Sequence, residues 1–147
     1  MTKEDTLHEL AFLGREIRNG FGVFVSSRVE NGPSPFDGRM LAYIVDHPGV
    51  SSSDICAAFR LTKSTVSESL SNLASFGMVC LERSKGDARQ KKIVATEKGI
   101  AHKAQIDEAI RLYDQAIMKG IGDEEIQTIN KIVEKIHKNM KEVANDE

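Results

Sequence analysis

Residues 55–79, Ile55 to Val79, read ICAAFRLTKSTVSESLSNLASFGMV, and this stretch decides the fold. Just before it, Ser51-Ser52-Ser53-Asp54 fits a capping box, a serine with a carboxylate three residues on. That box opens a short helix, about 52–59, with Ile55, Ala58 and Phe59 turned inward. Phe59-Arg60-Leu61-Thr62 is the right length for the turn of a helix-turn-helix. Thr62 caps a second helix, about 63–76, whose core stripe is Val66, Leu70 and Leu73. Gly77 then supplies a suitable residue just past its end.

On a wheel of about 100° per residue, Leu70 and Leu73 fall within about 40° of Val66. Ser64, Glu68, Ser71 and Ser75 lie near the opposite pole, flanked by Thr65 and Ser67. A face of small hydroxyls can approach base edges and phosphates closely, because serine and threonine donate to or accept from either. The bland alternative is a solvated surface, where serine is common. Serine is a mediocre helix former, however, and Ser64, Thr65, Ser67, Ser69, Ser71 and Ser75 in one helix are costly unless they are used.

Downstream, Val79 and Leu81 alternate with Cys80 and Glu82 as in a strand, Ser84-Lys85-Gly86-Asp87 turns, and Ile93-Val94 returns. The hairpin tip carries Lys85, Asp87 and Arg89, with Lys91 and Lys92 behind it and Arg83 before it. An arginine at such a tip can enter a narrow minor groove, where the potential is most negative. Asp87 would then hold the Arg89 guanidinium by a bidentate contact and fix its direction. The alternative is an exposed ion pair of little energetic value.

Outward from this centre the chain is helical. Leu7, Leu10, Leu13, Ile17, Phe21 and Phe24 recur at steps of three and four over residues 5–28. Asn31-Gly32-Pro33-Ser34-Pro35 breaks the chain, and Ser34 with Pro35 starts a helix of about 35–47. Met40, Leu41, Ile44 and Val45 face inward, and His47-Pro48-Gly49 ends it. Thr96 caps a long helix, about 97–119, which Gly120 and Gly122 interrupt. The last helix, about 123–143, carries Ile126, Ile129, Val133, Ile136, Met140 and Val143 on one narrow seam. Some 20 residues give a rod of about 30 Å, which lies along its own domain or packs on a second copy. The long amphipathic segments at both ends favour the second copy.

Composition sets the outer bounds. A chain of 147 residues makes one domain, or one domain with a helical arm. Hydrophobic residues at 40% and charged residues at 29% exclude a disordered chain. No apolar run approaches the ~18 residues of a membrane span. No apolar segment follows the N-terminus, so no secretory signal is expected. Cys56 and Cys80 do not make a disulfide framework, and a cytoplasmic protein with reduced thiols is the expectation. The net charge of −2 hides an asymmetry: residues 60–92 carry seven basic and three acidic side chains, a local excess of +4. A basic segment in an acidic chain suggests a polyanion-binding face.

Residues 55–79, with Asp87-Ala88-Arg89 and Ala95-Thr96-Glu97-Lys98-Gly99, resemble the winged helix-turn-helix of MarR-type regulators. Two departures stand out: Ala95 replaces the family's usual leucine, and the tip between Arg83 and Asp87 is about two residues short. The resemblance covers nearly the whole chain. It implies a mainly α fold with a small β-hairpin wing, a single domain over 1–147. Residues of about 35–96 would form the DNA-binding lobe, and about 1–30 and 97–147 the dimerisation helices. The implied function is a sequence-specific DNA-binding regulator, a ligand-responsive repressor that meets a pseudo-palindromic double-stranded operator as a homodimer. Expected at the DNA are Thr62, Lys63, Ser64, Thr65, Ser67, Glu68, Ser71, Arg83, Lys85, Asp87, Arg89 and Lys91. Expected at the dimer interface are Leu7, Leu10, Ile126, Ile129, Val133, Ile136 and Met140. The family's effector pocket would take Phe12, Arg15, Tyr43 and His47, an aromatic and basic set suited to a small aromatic or anionic ligand.

Other classes find little support. No Gly-rich phosphate loop, nucleophile motif or metal-ligand spacing stands out, so no enzyme, cofactor, metal or membrane partner is expected. His8, His47, His102 and His137 are scattered, and Cys56 reads as a small buried residue. Two alternatives remain: a winged-helix protein-interaction module that binds no DNA, and a redox or metal sensor on the same scaffold.

Overall fold

Side-chain caps set where the helices begin. The computed structural model describes residues 1–29, 31–83 and 91–145, with the Arg83 side chain outside that description. Its order is α1 (Lys3–Arg28), α2 (Pro35–Asp46), α3 (Ser52–Phe59), α4 (Lys63–Ser75), β1 (Val79–Arg83), β2 (Lys91–Ala95), α5 (Glu97–Ile117) and α6 (Asp123–Asn145). Ser34 accepts from the Asp37 N–H at 3.1 Å, with Pro35 in the first turn of α2. Ser51 and Asp54 close the expected reciprocal box at 3.1 and 3.0 Å, and its hydrogen bonds hold the Asp54 carboxyl below the usual carboxylate range. Thr62 and Thr96 cap α4 and α5 by accepting from Thr65 and Gly99.

α1 starts two residues earlier than its apolar spacing predicts. The reason is a second capping box, in which Thr2 and Asp5 exchange hydrogen bonds of 2.8 and 3.1 Å. Apolar periodicity marks only the helix face and is blind to a polar first turn.

The chain divides into two compact units, Met1–Tyr113 and Asp114–Glu147. In the first, Met40, Leu41 and Ile44 of α2, Ile55 of α3, Val66 and Leu73 of α4 and Ile93 of β2 are fully buried together. Val50, Met78 and Val79 extend this core. Ala58 is exposed, against expectation, and Cys56 packs on the core instead, although only partly buried. Ile55, Cys56 and Phe59 share one face of α3, centred about 100° from Ala58.

β1 and β2 form an antiparallel hairpin in the register Val79↔Ala95, Cys80↔Val94, Leu81↔Ile93, Glu82↔Lys92 and Arg83↔Lys91. Val50 bridges to Ile93, whose N–H donates to the Val50 carbonyl at 2.9 Å, so the end of the α2–α3 loop is laced to β2. α5 is seated hard against the hairpin's base. Thr96 donates from its N–H to the Met78 carbonyl at 3.0 Å and from its hydroxyl to the Gly77 carbonyl at 2.6 Å. A Cβ at Gly99 would collide with the Met78 carbonyl oxygen, so that position admits no side chain without movement.

Further along α5, Tyr113 donates its hydroxyl to the Ile17 carbonyl at 3.0 Å and meets the Phe21 and Phe24 rings edge-on and tilted. The C-terminal half of α1 is therefore partly covered, while its first 17 residues are exposed and the helix buries no residue outright. In the second unit, Glu125 accepts from the Gly122 N–H at 2.8 Å at the entry to α6. α6 also buries no residue; Ile126 and Ile136 are half-covered, and Ile129, Val133, Met140 and Val143 are exposed. Among the described residues, no helix is long and apolar enough to cross a membrane.

Candidate nucleic-acid interface

Three local devices aim α4. Arg60 ends α3 in the left-handed conformation, φ 53° and ψ 48°, and turns the chain within three residues. The Leu61 N–H reaches back to the Cys56 carbonyl at 3.1 Å and closes that turn. Thr62 then caps α4, and its hydroxyl also lies 2.9 Å from the Thr65 hydroxyl. The apolar stripe of Val66 and Leu73, with Leu70 beside it, seats the helix on α2 and α3.

The opposite side is what this seating leaves to solvent. Lys63, Ser64, Ser67, Glu68 and Ser71 are all exposed along one side of α4. Thr62 is exposed too, but its hydroxyl serves the cap, and Thr65 is half-buried against it. Lys91 and Lys92 are exposed on β2. Arg83 ends β1 opposite Lys91. Lys85, Asp87 and Arg89, and with them the expected Asp87–Arg89 contact, lie outside the described residues.

A cavity of about 390 Å³ adjoins this face, between α4 and the hairpin, lined in part by Ser67, Leu70, Ser71, Leu81 and Lys91. Leu81 reaches it while remaining 57% exposed. The four residues expected at an effector pocket fall into two pairs. On α1 the Arg15 guanidinium lies 5.9 Å from the centre of the Phe12 ring. On α2 the Tyr43 and His47 rings stack at 4.0 Å, with His47 Nδ1 2.8 Å from the Tyr43 carbonyl. The cavity beside α4, and a second, more open one lined by Arg28, Gln105, Glu108 and Leu112, take other residues. Among the described residues, no group of three or more His, Cys, Asp or Glu side chains could hold a metal ion.

The sequence reading missed one constellation. Asp37, in the first turn of α2, is buried, and its carboxylate accepts from the Ser69 hydroxyl and from Asn72 Nδ2, the latter at 3.3 Å. One signal was present: on the α4 wheel Ser69 sits about 60° from Val66, a hydroxyl inside the apolar sector. Nothing local identified its partner 32 residues away.

A MarR family model matches residues 32–90. FabT of Streptococcus pneumoniae, solved in complex with DNA, is 20% identical over 94% of this chain and 99% of its own, with a TM-score of 0.77. A mutant MepR of S. aureus is 19% identical over 95% and 99%, with a TM-score of 0.81. The PcaV transcriptional regulator of Streptomyces coelicolor is 17% identical over 89% and 96%, with a TM-score of 0.71. At these identities the likeness is one of fold, and it runs through the terminal helices as well as the winged lobe.

Proposed function

We propose that the protein is a DNA-binding transcriptional regulator of the MarR type acting as a homodimer, a reading supported by the MarR family model that matches residues 32–90. The observation that carries this reading is the exposed side of α4, where Lys63, Ser64, Ser67, Glu68 and Ser71 stand free of the core beside Lys91. FabT, of similar fold, was solved with DNA, which supports the same use of the lobe here. No Arg, Gln or exposed aromatic occupies that side, so base reading falls to small hydroxyls and Glu68, and affinity rests on phosphate charge. Glu68 would accept from a cytosine amino group. Lys85, Asp87 and Arg89 complete the proposed DNA contacts at the hairpin tip.

The homodimer is supported by the uncovered seam on α6 and by the bare N-terminal half of α1, including Leu7 and Leu10. The finer reading is a repressor released by a small aromatic or anionic ligand. The stacked Tyr43–His47 pair and the Phe12–Arg15 pair suit such a ligand chemically.

Selection of bound duplexes from a random pool, repeated across a salt series, tests the regulator. We expect enrichment of paired half-sites about 10 base pairs apart. The slope of log K against log salt should be roughly −5 to −7, from three or four phosphate contacts per subunit. Recovery of an unselected pool with a flat salt response would refute it.

A further inference from the structure

We infer that Asp37 is a positioning residue for DNA reading, a carboxylate clamp that fixes the rotation of α4 about its own axis through Ser69 and Asn72. This rests on the regulator reading above and deepens it.

The aliphatic contacts of α4 do not fix its rotation closely. Val66, Leu70 and Leu73 present smooth surfaces to α2 and α3, and apolar packing is non-directional. Hydrogen bonds are directional, and this pair is spaced to exploit that. Ser69 and Asn72 are three residues apart, hence neighbours on one side of the helix. Ser69 donates to Oδ1 of Asp37 and Asn72 donates to Oδ2, so the two oxygens of one carboxylate engage successive turns. A roll of α4 in either direction breaks at least one of these bonds.

The acceptor is itself fixed. Asp37 is 5% exposed and Ser69 2%, and the Asp37 N–H is bound to the Ser34 hydroxyl at the α2 cap. No buried side-chain polar atom among the described residues lacks a partner, so the clamp is complete as it stands. A charged acceptor makes these bonds stronger than neutral ones would be. Ser67, Glu68 and Ser71 follow from the same helix, so their azimuth toward a groove is the azimuth that Asp37 sets. A face that reads bases through short hydroxyls tolerates little roll, because such side chains cannot reach across a misplacement as arginine can. The clamp and the serine-rich face therefore belong together.

The test compares the full-length parent with D37N and with the double variant D37L/S69A. D37N keeps an acceptor for Ser69 and removes the charge, while the exposed Asn72 amide can turn to offer its oxygen to the new amide donor. The double variant replaces the polar pair by an apolar one that leaves no buried group unpaired. Each protein is titrated with the duplex the parent enriches and with a scrambled duplex of the same composition. The clamp predicts that the ratio of the two affinities falls about tenfold or more in D37L/S69A and by less in D37N. Affinity for the scrambled duplex and the salt slope should stay at the parent's values. Should D37N fail to fold, D37L/S69A decides. An unchanged ratio in D37L/S69A, or equal loss on both duplexes, overturns the clamp. A DNA-free measurement separates the two readings. Residual dipolar couplings of the α4 amides should report a changed orientation relative to α2 in D37L/S69A, and unchanged couplings overturn the clamp whatever the DNA result. A parent that enriches no duplex refutes the regulator reading, whereas an enriching parent with indifferent variants refutes the clamp alone.

Discussion

The lobe of α2, α3, α4 and the hairpin and the terminal helix α6 use the same apolar periodicity to opposite ends. In the lobe, side chains at helical spacing meet partners from the same chain, and six of them, with Ile93 of β2, vanish from solvent. On α6 the spacing is at least as regular, yet Ile129, Val133, Met140 and Val143 remain exposed and the helix buries nothing outright. Periodicity therefore reports that a face wants cover and leaves open who covers it. A lobe that closes on itself and a helix that does not are what a protein needs if folding and assembly are to be separate steps.

The sharpest way to break this comparison is to cut both regions alike. Leu73→Ala in the lobe should cost about 2–5 kcal/mol of stability, read from urea unfolding, because it empties a fully buried site. Val133→Asp on α6 should leave the secondary structure intact by circular dichroism. It should weaken self-association by roughly a hundredfold or more in sedimentation velocity, the behaviour of an interface position. An unaltered sedimentation profile would mean that the α6 seam is not where copies meet. Next in size is Gly99→Ala, which drives a Cβ into the Met78 carbonyl oxygen. We expect a loss of about 1–3 kcal/mol, with the hairpin amides exchanging fastest relative to the parent, since backbone atoms must yield.

The smallest expected effect lies at His102, buried on α5 beside the Gly32 loop. Burial, and then the nearby Lys98 charge, push its pKa below the ordinary histidine value of 6.5. Above that pH the ring is neutral in both folded and unfolded chains and contributes no pH dependence. As the pH falls below it, the unfolded chain takes up a proton that the folded chain resists, so stability declines until the folded pKa is passed. The drop in urea midpoint between pH 7.5 and pH 5.5 should be smaller in His102→Gln than in the parent. An identical drop would show that His102 carries none of the pH dependence in this range; the lowered carboxylates Asp5, Asp54 and Glu108 act only at more acidic pH, below their ordinary values.

What was legible in the sequence was whatever is decided within four or five residues. Ser34, Ser51, Thr62 and Thr96 announced their caps because each meets an N–H three residues on. The helix-turn-helix and the exposed side of α4 followed from the same short-range rules. The Asp37 clamp was not legible, because Asp37 reads as an ordinary first-turn acid until the fold brings Ser69 and Asn72 beneath it. Ala58 was misplaced because three inward candidates on a two-turn helix leave its contact face undetermined by about 100°. Lys85, Asp87 and Arg89, expected at the hairpin tip, lie outside the described residues.

The seat of α5 on the hairpin has a mechanical consequence. Thr96 is bonded twice to the Gly77–Met78 backbone, and Gly99 lets the first turn of α5 rest directly on that peptide. With no side chain between them to act as a cushion, the first turn of α5 and the root of β1 move as one lever arm. An angular displacement of that turn would swing the strands carrying Arg83 and Lys91 through the same angle, so their linear displacement grows with distance from the pivot at residues 77–78.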